Sequence, residues 1–303
     1  MNSNGTFRRA SKVIAAISLA LVLVAVLRIV IYHYRDASED FEPWPGTLIL
    51  EHPENTGVAG LSNVSFVAKT GNNVRAWYVP SRNRAAIVIS HGTNADRSAL
   101  LPELRFLANA GFGVLAIDWP GDGGSEGEIH WDEHERQTLT AAIDWLIARD
   151  DIDKSKIGAF GFSMGGYITA QVASFDTRIS AVALAAAPTD FAEYTRWDNR
   201  SWGWLSQYPA MLAVRAAKMP IADLRPIDVI EHVSPRPILI LGGDADPTIP
   251  EFMTRKLFAA AKEPKELWIV HGAGHGNYVQ IAPQEYQNQL VGFFLKTLSP
   301  SSL

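Results

Sequence analysis

Lys156-Ile157-Gly158-Ala159-Phe160-Gly161-Phe162-Ser163-Met164-Gly165-Gly166 is the stretch that decides the fold. Apolar residues run up to Gly161 and read as a short buried strand, and Tyr167–Ala173 has helical spacing. A serine between two glycines at a strand-to-helix switch is the G-x-S-x-G nucleophile-elbow pattern. So tight a turn strains the serine backbone and brings its neighbours almost into contact, so Gly161 and Gly165 must lack a Cβ. The strain lifts the Ser163 hydroxyl above the sheet edge, and the following helix points its N-terminal N–H groups at the same spot. Gly123-Gly124-Ser125-Glu126-Gly127 spells the same pattern, but it follows the turn cluster Pro120-Gly121-Asp122, with no strand leading in and no helix starting at the serine. Ser163 is therefore the candidate nucleophile and Ser125 a loop residue.

Outward from the elbow the chain alternates. Strands are expected at Ala85–Ser90, Gly113–Asp118, Ile157–Phe162, Ala181–Ala187, Pro237–Gly242 and Leu267–Val270. Helices are expected over roughly 96–110, 132–149, 251–262 and 283–298. A hairpin, Asn63–Lys69 with Val74–Pro80 around Thr70-Gly71-Asn72-Asn73, precedes them. This order predicts an α/β fold with a mostly parallel, doubly covered sheet. Residues 188–233 break the rhythm: they hold Tyr194, Trp197, Trp202, Trp204 and Tyr208, then a helical Ala210–Met219. A helical lid over the carboxyl edge of the sheet is one reading, with Trp197, Trp202 and Trp204 binding substrate; a plain helical connection with core aromatics is the other.

A serine nucleophile needs a base and a group that orients the base. Both are available downstream at carboxyl ends of expected strands, in the order serine, acid, histidine. Gly242-Gly243-Asp244-Ala245-Asp246-Pro247 follows one strand, and His271-Gly272-Ala273-Gly274-His275-Gly276 follows the next. Asp246 lies deeper in a proline-stiffened loop, whereas Asp244 suits a turn residue bonding local backbone. His275 is free to approach between two glycines, whereas His271 sits at the strand end as a structural histidine. The expected site is thus Ser163, Asp246 and His275. Backbone N–H groups of Met164, after the nucleophile, and Thr93, in the His91-Gly92-Thr93-Asn94 loop, are the expected oxyanion donors.

With these residues in place the chain resembles the α/β-hydrolase superfamily over about 63–298. The resemblance extends to Asp118-x-x-Gly121-x-Gly123-x-Ser125, Gly243-x-x-Asp246-x-x-x-Pro250 and Gly272-x-Gly274-His275. It implies a Ser-His-Asp hydrolase and gives Ser125 a loop-shaping role. It leaves the substrate open among esterases and peptidases. The reading preferred here is cleavage of a small acyl ester or thioester, with no cofactor; a peptidase or amidase on the same residues is the alternative. A non-catalytic binding protein on this fold would lack a triad member, and none is lacking. His130-Trp131-Asp132-Glu133-His134 spells the H-x-x-E-H zinc signature, but at a helix start its acids suit capping.

Arg8, Arg9 and Lys12 precede the apolar run Val13–Leu27, which continues past Arg28 to Tyr32. The length suits an uncleaved membrane anchor, in preference to a cleaved signal that would leave a secreted protein. The basic bias before the run puts the N-terminus in the cytoplasm and the catalytic domain outside it. The expected organisation is an anchor over 1–35, a Pro- and Gly-rich linker over 36–60 and a hydrolase domain over 61–303. A net charge of -5 gives no footprint for nucleic acid, and the absence of cysteine excludes disulfides and a thiol nucleophile.

Overall fold

The computed structural model describes residues 3–39, 52–219 and 221–298. Residues 40–51 of the expected linker lie outside the described residues. The chain divides into two compact units, one made of the N-terminal helix with Thr195–Lys218 and the other of the remaining described residues.

The larger unit is built on eight strands: β1 (Ser62–Val67), β2 (Asn73–Val79), β3 (Ala86–Ser90), β4 (Gly113–Ile117), β5 (Ile157–Phe162), β6 (Ala181–Ala185), β7 (Ile238–Gly243) and β8 (Lys265–Val270). They form one sheet in the order β1-β2-β4-β3-β5-β6-β7-β8. β2 runs antiparallel to both its neighbours, and every pairing from β4 to β8 is parallel. Every residue of β3, β4, β6 and β7 is buried, as expected of strands with helices on both faces, whereas β1 at the edge alternates exposed and half-buried positions.

The helices are α1 (Ser3–Glu39), α2 (Leu101–Asn109), α3 (Glu133–Ile147), α4 (Met164–Phe175), α5 (Phe191–Asp198), α6 (Trp204–Ala216), the single turn α7 (Pro226–Val229), α8 (Glu251–Ala260), the single turn α9 (Tyr278–Ile281) and α10 (Pro283–Leu298). Leu104 and Leu107 of α2 and Leu290, Phe293 and Phe294 of α10 belong to the main core cluster.

Two helices depart from the sequence expectation. The segment expected as one helix over 96–110 opens with a 3-10 turn, Arg97–Leu100, whose cap Asp96 accepts from the Ser98 N–H at 2.7 Å; α2 then starts at Leu101, with Pro102 in its first turn. α6 begins six residues before Ala210 and runs through Pro209. The proline cannot donate to the Leu205 carbonyl and its ring crowds that carbonyl, yet the helix continues to Ala216 and ends just before Lys218, whose backbone is left-handed, φ +57°.

Register explains where a site can form. Ser90 pairs with Gly161, Phe162 with Ala185 and Gly243 with Val270. The carboxyl ends of β3, β5, β6, β7 and β8 therefore lie along one edge, and the loops that leave them start side by side.

Candidate active site

Ser163 caps α4 with φ +54° and ψ −118°, a conformation that side chains avoid. Its surroundings hold it there. Its N–H donates to the Ala185 carbonyl at 2.9 Å, and its own carbonyl receives the Tyr167 N–H at 3.0 Å. The glycines have separate reasons. A Cβ on Gly161 would sit 2.3 Å from the Gly165 carbonyl oxygen, within the turn. A Cβ on Gly165 would sit 2.2 Å from the Ser90 carbonyl oxygen, on the neighbouring strand. The elbow is thus tight within itself and also against β3.

The loop after β3 is equally constrained. A Cβ on Gly92 would lie 3.0 Å from the Ser163 Cβ, so this loop lies against the serine, with Thr93 next in the chain. His91 is buried beneath it. The Trp119 N–H donates to His91 Nε2 at 3.4 Å, so the ring proton is on Nδ1, which donates to the Gly92 carbonyl at 2.7 Å. Burial lowers the His91 pKa, which favours this neutral, structural form. Met164 is the first residue of α4, where helix geometry supplies no intrahelical acceptor for its N–H.

From the far side come the acid and the histidine. His275 Nε2 lies 3.1 Å from Ser163 Oγ, and its Nδ1 lies 2.8 Å from Asp246 Oδ2. The other Asp246 oxygen accepts the N–H groups of Thr248 and Ile249 at 2.8 and 2.9 Å. The aspartate is therefore fixed by its own loop and offers one oxygen to the ring. Phe162 supports His275 from below, their ring centroids 4.9 Å apart, and a Cβ on Gly276 would strike the Phe162 ring at 2.8 Å. The role of Phe162 could be found in the sequence only as one more apolar strand residue.

Asp244 and His271 form a second pair, through His271 Nδ1 and Asp244 Oδ2. Asp244 bonds backbone as a turn residue would, but at Gly272, across the adjacent loop, rather than locally. The Gly272 N–H, then His271, hold its carboxyl below the usual range. The His271 side chain is 97% exposed, against 25% for His275.

Ser125 is fully engaged elsewhere. Its hydroxyl donates to the Asp118 carbonyl at 3.0 Å and accepts the Arg75 N–H at 2.8 Å. The loop from Asp118 to Ser125 wraps the Asp118 carboxylate, which pairs with buried Arg97 and accepts the Gly124 N–H at 2.9 Å. A Cβ on Gly123 would fall inside that carboxylate, which explains the glycine. In the His130–His134 stretch, Asp132 caps α3 through the His134 N–H and Glu135 closes a capping box. Among the described residues no three His, Asp or Glu side chains gather as a metal site.

Trp197, Trp202 and Trp204 belong to the smaller unit. Trp197 lies under the Arg200 guanidinium at 3.8 Å, and Trp202 and Trp204 are exposed.

The fold, the elbow and the loops at one sheet edge agree with a match of residues 99–301 to the prolyl oligopeptidase family. The chain belongs to this family. It is 28% identical over 249 residues to the uncharacterised protein YfhR of Escherichia coli, across 79% of this chain and 82% of that one. It is 27% identical over 266 residues to the polyketide transferase grgF of a Penicillium species, across 72% of this chain and 90% of that one. Among solved structures, an esterase of Pyrococcus furiosus superposes with a TM-score of 0.72 at 19% identity, covering 86% of this chain and 99% of the esterase. The structural neighbours are α/β-hydrolases, and this chain has their fold, as the sequence resemblance implied.

Proposed function

We propose that the chain is a serine hydrolase that cleaves carboxylic esters or thioesters through an acyl-enzyme on Ser163. The observation that carries this reading is His275, whose two ring nitrogens face Ser163 and Asp246 at 3.1 and 2.8 Å. In this reading Ser163 Oγ attacks the acyl carbon while His275 Nε2 takes its proton. Asp246 holds the Nδ1 proton and stabilises the imidazolium. The N–H groups of Thr93 and Met164 donate to the carbonyl oxygen as it becomes an oxyanion; loss of one such donor costs about 3 kcal/mol. Collapse expels the alcohol or thiol with the proton from His275. Water then repeats the steps, releasing the acid and restoring Ser163. The Pyrococcus neighbour is an esterase and the Penicillium relative a polyketide transferase, and both names support the ester or thioester reading. Membership in the prolyl oligopeptidase family favours, as a second reading, an amidase or peptidase on the same residues.

The same proposal takes residues 61–303 as the hydrolase domain, 36–60 as its linker and 1–35 as a membrane anchor with a cytoplasmic N-terminus. The test is labelling by a fluorophosphonate probe, wild type beside Ser163→Ala. Labelling of wild type alone is expected; labelling that survives the substitution removes Ser163 as nucleophile. Turnover of p-nitrophenyl esters beside aminoacyl anilides separates the two substrate readings.

A further inference from the structure

The smaller unit pairs a membrane-length helix with a helix that leaves its own apolar stripe uncovered. Lys12–Arg35 of α1 is long and apolar enough to cross a bilayer. Only its carboxyl part is covered within the unit: Val26, Ile29, Val30 and His33, one stripe at helical spacing, are half-buried or buried. α6 packs along α1. The buried stripe of α6 is Ser206, Pro209, Ala210, Ala213 and Val214, and the two alanines allow close approach of another backbone. His33 Nδ1 meets the Asn199 side-chain oxygen at 3.3 Å just before α6. Ser206 Oγ accepts the Trp202 N–H at 3.0 Å and donates to the Asn199 carbonyl at 2.6 Å, so this buried hydroxyl is satisfied within the unit.

The opposite face of α6 carries Trp204, Tyr208 and Leu212, one turn apart, at 75, 63 and 39% exposure. With Met211, Arg196 and Arg215 these side chains line a groove of about 280 Å³. The stretch 195–218 is also the reverse of the chain in charge. It holds Arg196, Arg200, Arg215 and Lys218 against Asp198 alone, in a protein of net charge -5.

We propose that the exposed face of α6 lies in the headgroup and upper acyl region of the bilayer that α1 spans. It would be a second, re-entrant membrane contact on the extracytoplasmic side. Trp and Tyr rings favour that depth at either interface, and the long basic side chains snorkel from it to lipid phosphates. The physical continuity is the packing of α6 on the carboxyl part of α1: a helix laid along a bilayer-length helix near its end shares that depth. This assigns Trp204 to lipid rather than to substrate. The proposal rests on α1 being a retained anchor.

The absence of cysteine makes a site-directed test direct, because a single introduced thiol carries the only label. The full chain is placed in phosphatidylcholine vesicles containing phosphatidylglycerol. Nitroxide is attached in turn through Tyr208→Cys, Leu212→Cys, Leu21→Cys and Lys262→Cys, the last on the larger unit. Collision with oxygen, which concentrates in lipid, is compared with collision with a water-soluble nickel chelate. The ratio of oxygen to nickel collisions at 208 and 212 is expected to be several-fold above that at 262 and to fall below that at 21. A ratio at 208 and 212 equal to that at 262, with 21 still in lipid, overturns the proposal and leaves the anchor standing. Nickel access at 21 overturns the anchor, and the proposal with it. Shielding of 208 and 212 from both reagents shows a protein partner, such as a second copy, and also overturns it. A label-free measurement guards against a perturbed variant: vesicles with brominated acyl chains should quench less of the tryptophan emission in Trp204→Phe than in wild type, and equal quenching overturns the proposal.

Discussion

His275 Nδ1 lies 2.8 Å from Asp246 Oδ2, and the Asp246 side chain has no exposure to solvent. Asp244 and His271, close by in sequence, form a pair of the same chemistry at the surface. The two pairs allow a matched comparison. Asp246→Asn is expected to lower kcat for a p-nitrophenyl ester on the order of 10²–10⁴-fold, because the ring loses its fixed tautomer and the imidazolium its counter-charge. Asp244→Asn is expected to leave kcat unchanged. Equal losses in the two variants would contradict the assignment of Asp246.

The glycines of the elbow and of α10 make opposite predictions from the same substitution. Gly165→Ala forces a Cβ to within 2.2 Å of the Ser90 carbonyl, a backbone atom in the sheet centre. It is expected to destabilise the fold by about 3 kcal/mol or more and to abolish fluorophosphonate labelling. Gly292→Ala, in α10 with nothing within 4 Å of the new methyl, is expected to stabilise by about 0.5–1 kcal/mol. Urea titration of both variants measures the difference.

Ser125→Ala tests the second G-x-S-x-G. The Arg75 N–H loses its acceptor, so a stability loss of about 1 kcal/mol is expected, with fluorophosphonate labelling intact. Loss of labelling in a folded Ser125→Ala protein would reopen the choice between the two serines.

A pH dependence follows from Asp122. Burial, then the nearby carboxylates Asp118, Glu135 and Asp96, push its pKa up from 3.8 to about 8. The folded state therefore binds a proton that the unfolded chain has released. The associated stability is fully present below pH 3.8 and is lost as pH rises towards about 8. Asp122→Asn cannot titrate, so its melting temperature should fall less than that of wild type between about pH 5 and pH 8, with the two curves converging on the acid side. Parallel curves across that range would refute the assignment.

Much of the fold was legible because its signals are local. Each buried strand is a short apolar run between turn residues, and Gly161 and Gly165 flank the serine because the turn leaves no room for a Cβ. The limits of α6 were not legible. Pro209 marks a break by propensity, yet the helix passes through it with one face buried, including Ala210 and Ala213.

What the sequence alone determined is the order of elements, the elbow and the strand ends from which an acid and a histidine depart. These follow from side-chain spacing and backbone freedom, which neighbours along the chain decide. What only the tertiary structure decided is the contact itself: loop composition favours Asp246 and His275, but spacing alone does not separate them from Asp244 and His271. Asp244–His271 and Asp246–His275 span 27 and 29 residues, almost the same interval, with similar glycine-rich flanks. The register of β7 on β8 and the path of each loop place one pair in solvent and bring the other to Ser163. That difference is a matter of direction and burial, which residue spacing does not encode.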